Sequence, residues 1–201
     1  MTSLFDSRSF TGPSRPRSGR LLRASALTLL LATAITACGG AGRDSEPAAP
    51  QGVEVGHSPP TLEGRLSSGE AIALSPSRGE RTVVLFYRGE SCGLCRLRLE
   101  QLNSNLTAYS RLGARVVAVT LDPPEISATT AARLGGELRI ISVDSAVFRE
   151  WQMLDAEQGA PLPGAYVLDD RGVVLFRHLG SHAGDRVSDA TLLTVLDSQQ
   201  R

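Results

Sequence analysis

Three cysteines occur in the chain, and two of them, Cys92 and Cys95, are separated only by Gly93 and Leu94. On the first turn of a helix, residues three apart share a face, so their sulfurs can bond or part with little backbone movement. A cysteine at the helix start also meets unpaired backbone N–H groups and the positive end of the helix dipole, both of which stabilise a thiolate. Arg88 and Arg96 add fixed positive charge nearby. Cys95 begins an apolar stripe and is expected to be the more buried sulfur, with Cys92 the more exposed. Those positions assign attack on a disulfide to Cys92 and resolution of the mixed disulfide to Cys95. A zinc site would need four ligands, and His57, His178 and His182 offer no second paired-ligand knuckle, so no metal is expected. A permanent structural disulfide is the plainer alternative in an exported protein.

The elements that must position this pair are legible as strand, then helix. Thr82 to Tyr87 is a continuous β-branched and aromatic run, the pattern of a strand covered on both faces. After it, Cys95, Leu99, Leu102, Leu106 and Tyr109 recur at spacings of four and three, which predicts one helix from Gly93 to about Leu112. Thr61 to Leu66 and Glu70 to Leu74 read as an entrance hairpin. Strands are expected over Ala114 to Leu121 and Leu138 to Val143, and helices over Glu125 to Leu134 and Ala146 to Met153. Ala165 to Leu168 and Val173 to Phe176 flank the turn signal Asp169-Asp170-Arg171-Gly172, and a last helix is expected from Asp185 to Asp197. The sum is an α/β, thioredoxin-like fold with a central mixed sheet and helices on both faces. Phe148 and Trp151 read as packing residues.

At 201 residues, with 41% apolar content, the chain suits one domain plus processing segments. Charge is balanced, 21 basic against 21 acidic residues, so no nucleic-acid partner is expected. All the basic residues are arginines, which excludes lysine chemistry. No cofactor is expected. Residues 1 to 23 carry five arginines and Asp6, and the 14-residue run Ala24 to Ala37 is long enough for a secretory signal but short of the roughly 20 residues a spanning helix needs. Removing that segment leaves 16 arginines against 20 acids, a formal charge of −4. Ile35-Thr36-Ala37-Cys38 resembles a bacterial lipobox, which implies acylation of Cys38, anchoring to a lipid bilayer and an extracytoplasmic location in the cell envelope. The expected organisation is therefore a signal peptide over 1–37, a Gly-, Ala-, Pro- and Ser-rich linker over 38–56 and the domain over 57–201.

Phe86-Tyr87-Arg88-Gly89-Glu90-Ser91-Cys92-Gly93-Leu94-Cys95-Arg96 resembles the FYRG-x-x-C-x-x-C-R segment of the AhpC/TSA (redoxin) group of thioredoxin-like proteins. Pro161 to Asp169, with Gly172, is similar to that group's P-x-P-A-T-Y-V-I-D-x-x-G segment. The resemblance implies redox or antioxidant activity on protein disulfides, dithiols or hydroperoxides. It also implies that Pro163 is a cis-proline set against the cysteines and that the Leu162 backbone is free to pair with a substrate strand. Peroxiredoxins of this group resemble Pro-x-x-x-Thr-x-x-Cys here, with a distant arginine. Cys95 falls at their peroxidatic position, but Arg88 replaces the proline, Cys92 the threonine, and Pro163 stands where the arginine often lies. Disulfide exchange therefore leads, with peroxide reduction by Cys95 as the alternative. Phe86 occupies the place of the buried acid of thioredoxins, so Glu90 is the nearest carboxylate for proton transfer to Cys95; a solvated loop glutamate is the plainer reading. A copper-handling or redox-silent module is the third reading; copper-delivery relatives resemble Cys-x-x-x-Cys with a distant histidine, for which His178 and His182 would be the counterparts.

Overall fold

In the computed structural model the described residues are 53–75, 79–155 and 157–199. The signal-peptide reading, Cys38 and most of the linker lie outside them. The chain divides into two units, Met1–Asp44 and Ser45–Arg201, and the described residues belong to the second.

Seven strands form one mixed sheet: β1 (Leu62–Leu66), β2 (Ala71–Leu74), β3 (Arg81–Phe86), β4 (Ala114–Thr120), β5 (Arg139–Ser142), β6 (Gly164–Leu168) and β7 (Val174–Leu179). Their spatial order is β2-β1-β5-β4-β3-β6-β7. β3, β4 and β5 run parallel, β1 joins β5 and β6 joins β3 in the antiparallel sense. β3 thus lies inside the sheet, hydrogen-bonded on both sides, as its unbroken apolar sequence requires. Side-chain alternation sends Val83 and Leu85 to one core with Val116, Ala118, Ala165 and Val167. It sends Val84 and Phe86 to the other with Val117, Val119, Tyr166 and Leu168.

The first core is covered by α1 (Gly93–Ser104), α2 (Leu106–Arg111), α3 (Pro124–Arg133) and α5 (Asp189–Ser198), through Leu99, Leu102, Tyr109, Ala131, Leu192 and Leu196. The second is covered by α4 (Ser145–Glu150) and the turn after it, through Val147, Phe148, Trp151 and Met153. The α/β, thioredoxin-like expectation is met, with three local corrections. The helix expected to run to Leu112 is two helices, because Asn105 ends α1 and starts α2. The last helix begins at Asp189, not Asp185, since Ser188 caps it by accepting from the Thr191 N–H at 3.2 Å. Val53 to Gly56, expected within the linker, pack on the sheet: Val53 is buried, the Gly56 N–H donates to the Val174 carbonyl at 2.8 Å, and Glu54 pairs with Arg177 at 2.8 Å.

Candidate active site at the β3–α1 junction

The chain leaves β3 in the interior of the sheet and turns into α1 through Tyr87 to Ser91. Gly89 makes that turn possible. Its φ of 127° is a conformation side chains rarely adopt, and a Cβ there would stand 2.6 Å from the Asp122 carboxylate. Asp122, just past β4, uses the approach to accept from the Glu90 N–H at 2.7 Å. The loop is therefore tied to the neighbouring strand before the cysteines are reached. Glu90 carries the same anchoring further, accepting from the Thr130 hydroxyl at 2.8 Å and from Arg133 at 3.2 Å, both on α3. Glu90 is thus held against α3 through Oε2 and is not the freely solvated loop residue expected.

Cys92 is the N-cap of α1. Its backbone is extended, and its sulfur accepts from the Cys95 N–H at 3.3 Å, the bond a serine oxygen makes at an ordinary cap. Both cysteines are free thiols; Cys92 is half-buried and Cys95 is fully buried in the first core. A guanidinium that sequence reading missed joins them. Arg186, in the segment between β7 and α5, directs Nη2 at Cys95 Sγ (3.2 Å) and Cys92 Sγ (3.6 Å). One cation thus serves two sulfurs.

The two thiols ionise differently as a result. Burial works against the Cys92 thiolate. The Cys95 thiol and N–H donating to it, with the charges of Arg186 and Arg88, outweigh burial and hold its pKa below the ordinary thiol value. For Cys95, burial and its commitment as donor to Cys92 prevail over the Arg88 backbone and Arg186, and its pKa is raised. The leading arginine charges on Cys92 are those of Arg186 and Arg88; Arg88 and Arg96 are both exposed.

Pro163 precedes β6 and lines a small void with Tyr87, Arg98, Arg186 and Val187. Leu162 needs correction. Its N–H donates to the Met153 carbonyl at 2.8 Å, which closes the turn after α4 and leaves at most its carbonyl for an incoming strand. A cavity of about 220 Å³ opens beside it, lined by Arg88, Asp155, Pro161, Leu162, Ser181 and His182. The histidines raised by the copper reading are engaged locally, His178 with Asp185 at 2.9 Å and His182 with the Gly184 N–H at 3.1 Å. A groove of about 840 Å³ along β1, β2 and the segment after β4 contains neither cysteine.

A mixed sheet with an interior strand that leads into a helix, two cysteines at that helix's N-terminus, has the architecture of the thioredoxin fold. The match of residues 55–177 to the AhpC/TSA family places the chain in that family, and it is an oxidoreductase. Solved structures with this fold include a peroxiredoxin-like protein from Aquifex aeolicus (12% identity, covering 75% of this chain and 90% of that one, TM-score 0.67). Peroxidoxin BcpB from Mycobacterium tuberculosis matches at 18% identity over 73% and 97% of the two chains, with a TM-score of 0.65. Peroxiredoxin Q from Xanthomonas campestris matches at 20% over 70% and 92%, with a TM-score of 0.62. No curated protein sequence matches significantly. Arg186 lies beyond the family-matched segment.

Proposed function

We propose that the protein is a thiol–disulfide oxidoreductase in which Cys92 attacks and Cys95 resolves, held at the extracytoplasmic side of a membrane by an acylated Cys38. The observation that carries this reading is the asymmetry of the sulfurs under one cation: Cys92 half-exposed and biased toward thiolate, Cys95 buried and biased toward thiol, Arg186 within 3.6 Å of both. The Cys92 thiolate attacks one sulfur of a substrate disulfide, forms the mixed disulfide and expels a substrate thiolate. Cys92 is then neutral, and the full charge of Arg186 falls on Cys95. That favours loss of the Cys95 proton to solvent in a site without the buried acid of thioredoxins. Cys95 attacks Cys92 Sγ, releases the second substrate thiol after protonation and leaves the Cys92–Cys95 disulfide, so the substrate has gained two electrons. Leu94 and Leu97, each 52% exposed on α1, give the rim of the site an apolar surface suited to a polypeptide substrate.

Hydroperoxide reduction is the second reading, supported by the peroxiredoxins among the structural neighbours. The same asymmetry makes Cys92, not Cys95, the favoured attacking sulfur there. Its thiolate takes one oxygen and releases an alcohol, and Cys95 condenses with the sulfenate to expel water. An assay of the reduced chain against a polypeptide disulfide and against cumene hydroperoxide separates the two. Faster turnover of the disulfide is expected, and turnover of the hydroperoxide alone would replace the first reading with the second.

A further inference from the structure

Behind the cysteines, on the same side of the sheet, lies a polar cluster that the chemistry above does not use. Asp189 opens α5, three residues after Arg186. Its Oδ1 accepts from Arg98 Nη2 at 2.7 Å and from the Tyr109 hydroxyl at 2.6 Å, and its Oδ2 accepts from Asn105 Nδ2 at 2.8 Å. The side chains of Arg98 and Asp189 are only 6% and 12% exposed. Arg98 belongs to α1, the helix that carries both cysteines, whereas Asn105 and Tyr109 belong to the α1–α2 break and to α2. Asp189 therefore fastens the start of α5 to the helices of the redox pair. Between Arg186 and Asp189 the chain has little freedom, since Val187 is buried and Ser188 is committed to its cap.

We propose that Asp189 is a positioning residue for Arg186, a role that rests on the reading of Arg186 as the cation of the redox pair. Two effects act in the same direction. The clamp fixes where the backbone of Arg186 stands relative to α1, and so where its guanidinium meets the sulfurs. The carboxylate also neutralises Arg98, whose side chain lines the same small void as Arg186. Nε and Nη1 of Arg98 have no hydrogen-bond partner among the described residues, so Asp189 is its compensation. Without that carboxylate a buried, uncompensated guanidinium would face Arg186 and repel it from the cysteines. On the other side, Asp185 accepts from the Ser181 N–H at 2.9 Å and pairs with His178, a more exposed tether that leaves the buried clamp as the main determinant.

The test is the pH profile of iodoacetamide alkylation in the full chain carrying Cys38→Ser and Cys95→Ser, so that Cys92 is the one thiol. Arg186→Gln should move the midpoint upward and lower the thiolate fraction on the acid side of it about tenfold. Asp189→Asn should lower it about threefold, and the double variant should match Arg186→Gln alone, because Asp189 acts through Arg186. An Asp189→Asn profile that coincides with the parent, or a threefold loss that persists beside Arg186→Gln, overturns the proposal. An unmoved Arg186→Gln profile instead overturns the reading of Arg186 on which it rests. Should Asp189→Asn not fold, Tyr109→Phe keeps the carboxylate and its other two partners. It should move the profile the same way by less, and an unmoved profile contradicts the proposal.

Discussion

The two faces of the sheet are built from alternate residues of the same strands, yet they are held by different forces. On the face away from the cysteines, Phe86, Phe148, Trp151 and Tyr166 pack edge to face or tilted, with ring centroids 5.0 to 6.1 Å apart, and the Tyr166 hydroxyl donates to the Trp151 carbonyl at 2.6 Å. On the cysteine face the apolar layer is interrupted by Cys95, Arg98 and Asp189, whose placement depends on charge and hydrogen bonding. The aromatic face supplies stability that tolerates no void. The cysteine face gives up some apolar packing to keep a cation beside two sulfurs. Leu85 and Phe86, adjacent on β3, belong to one face each, so the strand that launches the catalytic loop is held by the aromatic side and directed by the polar one.

Substitutions on the two faces should therefore separate folding from chemistry. Cys92→Ser should abolish disulfide turnover, a loss of roughly 10³-fold or more, since the nucleophile itself is gone. Its unfolding midpoint in denaturant should stay close to the parent's. Phe148→Ala should do the reverse, costing about 3–5 kcal/mol in denaturant unfolding, while the pH profile of Cys92 alkylation in the folded protein is unchanged. Gly89→Ala acts on both, because the positive φ and the Asp122 carboxylate oppose a Cβ. A stability loss of about 1–3 kcal/mol with a slower alkylation rate is expected, read by unfolding and iodoacetamide labelling together. Arg88→Gln should have the smallest effect, about a twofold loss of thiolate, because an exposed charge is well screened. In each folded variant that keeps Cys92 the sign of the pH dependence is fixed. Cys92 is an acid with a depressed pKa, so its alkylation rises with pH through a midpoint below the ordinary thiol range, and Arg88→Gln moves that midpoint upward.

Most of the frame was readable from the chain alone, because the signals for it are local. The six-residue apolar run of β3, the three-and-four spacing of α1 and the turn after Leu168 each carry their own structure. The Cys92 cap and the burial of Cys95 followed from the same periodicity. What was hidden depends on residues far apart in sequence. Arg186 is 91 residues from Cys95, and reading a helix from Asp185 placed it inside a regular element. The signal that would have freed it is Ser188 with Thr191, a cap that starts α5 three residues beyond Arg186. The spacing of Leu102, Leu106 and Tyr109 runs past Asn105 without a break, whereas in the fold the Asn105 amide bonds both Gln101 and Asp189 at the point where the helix divides. Glu90 and Leu162 were misread for a related reason: their partners, on α3 and in the turn after α4, are supplied by tertiary packing.

The order of attack is the central claim, and trapping tests it most directly. Reduced Cys95→Ser and Cys92→Ser chains, each also carrying Cys38→Ser, are mixed with a polypeptide disulfide, and the adducts are located by peptide mass spectrometry. A stable mixed disulfide on Cys92 in the Cys95→Ser chain, with none on Cys95 in the Cys92→Ser chain, is the expected result. A mixed disulfide that forms on Cys95 when Cys92 is absent, at a rate matching the parent, would contradict it.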